Sequence, residues 1–362
     1  MDKQSIRIYV ILLLLVIFNV NIFAQIKVDS AEVKLRMDLD KAEFYYKRGN
    51  TDKVIEILAT HTHNKIVLKK QPKELLVQAY RLKAQSHILQ KEEKKAIVEI
   101  KELMSVAPTY LQVYKREDDL TRLHTYIDTL LPYLRPNSKI GFKTGINFSS
   151  ARIIDYNSIF SPNEKREYKL YPGLSLGLSL QKRFSRHTSI ALEPIYNKSI
   201  LKISHTYHSG NLATELKENS KISMNTIQFP LFFQIDFQNS RRKIEKNFFL
   251  IKFGGFISYL QYCEVIYVNS FVDVTQLTNR ITGGYTASIE WLFTRPSYQF
   301  GIELNYMGNS RSLVSQDDVF YNNMKNNKLL YSHYYALDNL KMRNYKLMFV
   351  YLYNLSYKVF YD

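Results

Sequence analysis

Along roughly the last three-fifths of the chain, apolar and polar residues alternate one by one, the period of a strand whose two faces meet different surroundings. The pattern is plainest in Pro172–Phe184, where Leu174, Leu176, Leu178 and Leu180 alternate with Ser175, Gly177, Ser179 and Gln181. Lys139–Ser149 sets Ile140, Phe142, Ile146 and Phe148 against Gly141, Lys143, Gly145 and Asn147. Ser189–Asn197 sets Ile190, Leu192 and Tyr196 against Ala191, Glu193 and Asn197. Asn225–Phe237, Phe248–Leu260, Thr282–Phe293 and Tyr298–Gly308 repeat the arrangement, with Gln228, Gln234, Asp236, Lys252, Glu290 and Glu303 among their polar positions. Tyr345–Tyr361 closes the series. Eight strands are therefore expected, most of them nine or more residues long, enough to cross a bilayer at a tilt of about 45°.

A soluble sandwich would alternate too, so the connections decide. The links after the second, fourth and sixth strands are short: Phe184–Thr188, Gln238–Lys246 and Thr294–Ser297. Those after the first, third, fifth and seventh are expected to be long polar loops, with Ser161–Lys169 and Val314–Leu340 as examples. Short turns at one end and long loops at the other are the outer-membrane barrel pattern. The apolar residues form the majority face, inside-out for a soluble barrel and natural where lipid lies outside. With eight strands the interior is filled by side chains, so an open pore is not expected.

Before residue 136 the period is helical. Asp40–Leu58 holds two helical runs meeting at Gly49-Asn50, and Gln78–Tyr110 repeats the layout. Aligning Val54 with Ala96 places Ala42 on Ala84, Tyr45 on His87 and Leu58 on Ile100. Pro108 should end the second repeat, because proline cannot continue a helix. This resembles the tetratricopeptide repeat in its small residues and closing proline. It departs from it in an offset of 42 residues, filled by Thr60–Gln71, and in a first repeat without the proline. The resemblance implies a peptide- or protein-binding face; a structural spacer is the plainer alternative. Asp118–Leu134 is a third helical stretch that would cap the stack.

At the start, Lys3 and Arg7 precede an apolar run from Ile8 to Phe18, followed by Asn19, Asn21 and Ala24. That is the layout of a cleaved export signal, and the run is too short for a membrane span. The expected fold class is thus α plus membrane β: a signal peptide (1–24), a short tetratricopeptide-like α-helical domain in the periplasm (25–136), and an eight-stranded antiparallel up-and-down transmembrane β-barrel in the bacterial outer membrane (139–362). With the helical domain inside, the first strand runs outward and the long loops face the exterior.

Composition sharpens this picture. The 28 Tyr and 21 Phe against one Trp suit strands and the aromatic girdles of a membrane barrel. A mean hydropathy of −0.26 is compatible with a barrel, whose alternating faces average out. The formal charge of +17 falls to about +16 without the signal segment, because Lys3, Arg7 and Asp2 leave together. The basic residues form no nucleic-acid motif, so no nucleic-acid partner is expected; outer-membrane lipid headgroups are the better match.

Candidate chemistry is sparse. Cys263 is the single cysteine, which rules out an intramolecular disulfide and a thiolate metal cluster and reads as a small apolar residue. His61 and His63, read as lying in a polar loop, lack a third ligand and are expected to be solvated. Lys143, Glu193, Lys252, Glu290 and Glu303 are expected to face the barrel interior as mutually paired charges rather than as acid–base catalysts. No nucleophile elbow, phosphate-cradling loop or zinc-protease helix is present. Catalytic, cofactor-binding and metal-binding residues are accordingly expected to be none, and the protein is read as non-enzymatic.

The strand runs Ser189–Lys202, Asn225–Phe237, Phe248–Leu260, Gly283–Trp291 and Phe300–Gly308 resemble the PorT-type outer-membrane β-barrel family common in Bacteroidota, with fewer glycines and a long last loop. The resemblance implies a role in protein export by the type IX route or in gliding. Three functions follow as expectations: a barrel anchoring a periplasmic protein-binding domain through residues 28–135, a surface adhesin or receptor acting through its loops, or a narrow channel.

Overall fold

The computed structural model describes residues 30–62, 71–108, 121–155, 165–208, 215–237, 247–266, 271–313 and 339–360. The chain divides into two compact units, 1–127 and 128–362. The export signal, His63 and most of the last long loop (314–338) lie outside the described residues.

The first unit is helical. α1 (Ser30–Lys47) and α2 (Thr51–Thr62) form one hairpin, α3 (Lys73–Leu89) and α4 (Glu93–Val106) a second, and α5 (Thr121–Leu130) follows. Gly49 turns the first hairpin at φ +73°, a left-handed conformation that glycine adopts without cost. Its amide donates to the Tyr46 carbonyl (2.9 Å) and the Asn50 amide to that of Tyr45 (3.0 Å), satisfying the last carbonyls of α1. Of the positions aligned between the hairpins, Ala42 and Ala84, Val54 and Ala96, and Leu58 and Ile100 are fully buried, His87 is buried, and its counterpart Tyr45 is half-buried. α4 ends two residues before Pro108, as expected.

One expectation fails here. His61 is no solvated loop residue. It sits in the last turn of α2, 8% exposed, with Nε2 2.7 Å from the Asp38 carboxylate. Helix α2 runs further into the polar segment than its composition implies, and the buried imidazole finds a partner on α1. Lys83 of α3 is also buried, its ammonium donating to Thr62 Oγ1 (2.8 Å) and paired with Glu99 (2.7 Å), so one charge ties α2, α3 and α4. No helix of the described residues is long and apolar enough to cross a membrane.

The second unit is a closed antiparallel β-barrel. Its strands are β1 (Leu134–Asp155), β2 (Lys165–Arg183), β3 (Thr188–Leu192), β4 (Ile195–His208), β5 (Glu215–Asp236), β6 (Asn247–Ile266), β7 (Phe271–Asp273), β8 (Ile281–Thr294), β9 (Tyr298–Asn309) and β10 (Asn339–Val359). β3 and β4 are two halves of one wall strand, and β7 is a three-residue edge beside β6, so the wall counts eight strands. Each pairs with its sequence neighbours, and β1 closes the ring on β10 from Leu134↔Val359 to Asp155↔Asn339. The third wall strand breaks at Glu193-Pro194 because proline has no N–H for the ladder. The Glu193 amide instead donates to the Pro230 carbonyl (3.0 Å), and the Pro194 carbonyl accepts from Leu178 (2.9 Å).

The strands are longer than the alternation implied. β1 starts at Leu134 and runs to Asp155, and residues 165–169, read from sequence as loop, belong to β2. The third wall strand reaches His208 and β5 starts at Glu215, so the third link is also shorter than expected. The link between β9 and β10, 310–338, is long.

Candidate functional site

The barrel presents two constructed surfaces, its interior and its outer wall. Alternation fixes which residues go where. Phe142, Leu174, Leu176, Leu178, Phe229, Leu231, Phe253, Ile257, Ile289, Ile302, Leu304 and Phe349 all point outward and are exposed. This apolar belt is inexplicable in water and expected against lipid. Phe249 stacks on Trp291 (ring centres 5.8 Å apart) and Phe142 on Tyr351 (5.4 Å), pairing aromatics across neighbouring strands.

The interior holds the five charged residues that the alternation pointed to, and brings them together. Lys143 of β1 lies 2.5 Å from both Glu193 Oε2 and Glu303 Oε2. Lys252 of β6 lies 3.1 Å from Glu193 Oε1 and 3.2 Å from Glu303 Oε2, and also pairs with Glu290. All five side chains are essentially inaccessible to solvent. A buried charge without a partner costs several kcal/mol, and interleaving two ammonium groups with three carboxylates sets every one of them against an opposite charge. Gly141 and Gly145 flank Lys143 on the inward face of β1. A Cβ at Gly145 would stand 2.1 Å from the Leu347 carbonyl oxygen, so β1 and β10 approach there as only glycine permits.

On the loop side of this cluster a chain of hydrogen bonds crosses the lumen. Asn147 donates to Ser175 Oγ (3.0 Å), Ser175 to Asn197 Oδ1 (2.6 Å), and Asn197 (2.7 Å) and Lys346 (2.7 Å) both to Gln228 Oε1. Beyond it lies an apolar cluster including Leu201, Ile203, Ile222, Met224, Leu260, Cys263, Val265, Leu340 and Met342. Cys263 is thus a fully buried packing residue. On the turn side Phe248, Leu250, Leu292, Val350 and Leu352 form a second apolar layer. Past that, Lys139 donates to Gln299 (2.8 Å) and Arg183 pairs with Asp236 (2.5 Å). Side chains fill the lumen in alternating polar and apolar layers.

The two faces exchange character toward the loop end. On β4 the inward positions pass from Asn197 and Ser199 to Leu201 and Ile203, while outward Tyr196 gives way to Lys198, Ile200, Lys202 and Ser204. On β5 the inward residues pass from Gln228 to Met224 and Ile222, and the outward ones from Phe229 and Ile227 to Asn225, Ser223 and Lys221. β1 changes at Ser150 and Arg152 outside, Ala151 and Ile153 inside; β10 at Arg343 and Lys341 outside, Met342 and Leu340 inside. Below the change the barrel is built for lipid, and above it like a soluble protein, with its apolar side chains turned inward. The change marks where the apolar medium ends.

Sequence reasoning missed Lys139, Arg183, Asp236 and Lys346 as interior groups that pair or bridge. Asp236, between Ile235 and Phe237, carries the same signal as Lys252, Glu290 and Glu303, a charged residue between two apolar neighbours on a strand.

Residues 135–309 match the family described as outer membrane protein beta-barrel domain. Among solved structures, the chain is similar to the outer membrane protein OprG of Pseudomonas aeruginosa (11% identity, 60% of this chain and 96% of that one, TM-score 0.34). Neisserial surface protein A gives 10% identity over 61% and 99% of the two chains with a TM-score of 0.32. Ail of Yersinia pestis gives 10% over 60% and 99% with a TM-score of 0.26. No curated protein matches the chain. The family match and the lipid-facing belt together define the second unit as an outer-membrane β-barrel.

Proposed function

We propose that this protein is a non-enzymatic outer-membrane anchor, a PorT-type barrel of the kind common in Bacteroidota, holding a tetratricopeptide-like protein-binding domain in the periplasm for secretion or envelope assembly. The observation that carries this reading is the stripe Val33, Met37 and Phe44 on α1, three large apolar side chains left exposed at helical spacing on the first unit. A helix normally buries such a stripe, and the paired hairpins offer it as the seat for a partner segment. The layered lumen supports an anchor over a channel, since neither apolar layer provides a path for water or ions. The buried carboxylates support a structural role over catalysis, because Glu193, Glu290 and Glu303 all lie against the two buried lysines Lys143 and Lys252. No metal, cofactor or nucleic acid enters this reading.

Photo-crosslinking from positions 37 and 44 in living cells tests it. Crosslinks to one envelope protein, abolished by Phe44→Glu with the barrel still inserted, are expected. The absence of any crosslink, together with full function after removal of residues 30–127, would overturn it. The long link 310–338 favours a second reading, a surface receptor acting through that loop. Loop deletion would then abolish function while the helical unit is dispensable.

A further inference from the structure

Three lysines stand side by side on the outer wall just beyond the polarity change. Lys169 of β2 is the direct register partner of Lys202 of β4, and Lys202 that of Lys221 of β5. Leu201 and Ile203 beside Lys202 and Ile222 beside Lys221 are buried inward, and Tyr168 beside Lys169 packs against the same apolar cluster, so the lysines point out. On the other side of β1, Arg152 is the direct partner of Lys341, with Arg343 two residues nearer the belt on the same face. Directly opposed side chains have Cβ atoms about 5 Å apart, and like charges so placed destabilise the sheet. Among the described residues the ion pair recorded in this band is Lys169 with Glu167 at 3.2 Å. Glu264, diagonal to Lys221, accepts a hydrogen bond from Tyr262. The Lys221 ammonium leans over the Tyr171 ring, 4.9 Å from its centre, which draws the charge toward the lipid belt. At the opposite rim, outward Lys182 faces Ser138 and Ile190 instead of another cation.

Opposed cations repeated across neighbouring strands are stable when an external anion lies between them, and several phosphates at fixed height supply it. We infer that the loop-end basic band, centred on Lys169, Lys202 and Lys221, binds the phosphate groups of an anionic lipid in the outer leaflet. This rests on the proposed orientation, with the loop end outside.

The test uses the full-length protein in detergent, titrated with bisphosphorylated lipid A, with its dephosphorylated form, and with inorganic phosphate. The wild type is expected to bind the bisphosphorylated lipid at least about tenfold more tightly than the dephosphorylated one. Lys169→Gln/Lys202→Gln/Lys221→Gln should lose that difference, the corresponding triple arginine variant should keep it, and Lys182→Gln should leave it unchanged. Equal binding of the two lipids, an unaffected triple glutamine variant, or displacement of lipid by an equal concentration of inorganic phosphate would overturn the inference. The last outcome would assign a free-anion site. A variant without heat-dependent gel migration has not folded, and Lys202→Gln alone then replaces it. Thiol labelling of Lys202→Cys on intact cells reads the orientation separately: an unlabelled but lipid-binding protein refutes the orientation and not the phosphate chemistry.

Discussion

At the scale of single residues, the barrel interior depends on pairing that no member can leave. Lys143→Met keeps much of the side-chain volume but strands Glu193 and Glu303 as buried carboxylates facing one remaining lysine. Breaking a buried pair by removing one partner costs about 3–5 kcal/mol, and that loss is expected in urea unfolding of the refolded barrel. Lys346→Met, which removes a donor to neutral Gln228, should cost less in the same assay. Gly145→Val pushes a branched side chain into the Leu347 carbonyl oxygen and should prevent closure of β1 on β10, seen as loss of heat-dependent gel migration. The five central charges were legible in the sequence because each interrupts an apolar alternation. Lys346 was less so, since Met348, Val350 and Leu352 make the inward face of β10 apolar as well and erase the contrast that sets its register.

At the scale of elements, the strands were legible only where they cross lipid. Past Lys198 on β4 or Asn225 on β5 the apolar residues move from the outward to the inward face, so the two-residue period slips by one and reads as the end of the strand. Residues 165–169 therefore read as loop although they continue the ladder, as Lys169↔Lys202 shows. The belt itself makes a direct prediction. Leu176 is 60% exposed in the middle of β2, and Leu176→Arg should destabilise the inserted barrel by about 2–4 kcal/mol, whereas Ser204→Arg beyond the change should be nearly neutral. In the helical unit, the α3–α4 turn is tied by Glu92. Hydrogen bonds from Lys95 (2.8 Å) and His87 (2.8 Å) hold its carboxyl below the usual value of 4.5. Such a group stabilises the fold above its unfolded value, and that contribution is lost as pH falls through the lowered one. Helical circular dichroism should therefore decline below about pH 4.5, with a smaller decline in Glu92→Gln.

At the scale of the whole molecule, a helical unit and a closed barrel share one chain, and the barrel has a lipid-facing belt, a lumen filled by side chains and an apolar cluster at its loop end. The division between helical and strand periods was visible in the sequence, and so was the inside-out sense of the barrel. The tie of His61 to Asp38 was not, because it joins two helices 23 residues apart and leaves no local pattern. The central claim is that residues 134–359 close into a barrel inserted in the outer membrane. Gel migration of the outer-membrane fraction, with and without boiling, tests it most directly. The account predicts that the protein is found in that fraction and that boiling changes its mobility. A protein recovered in the soluble fraction, with identical mobility before and after boiling, would contradict it.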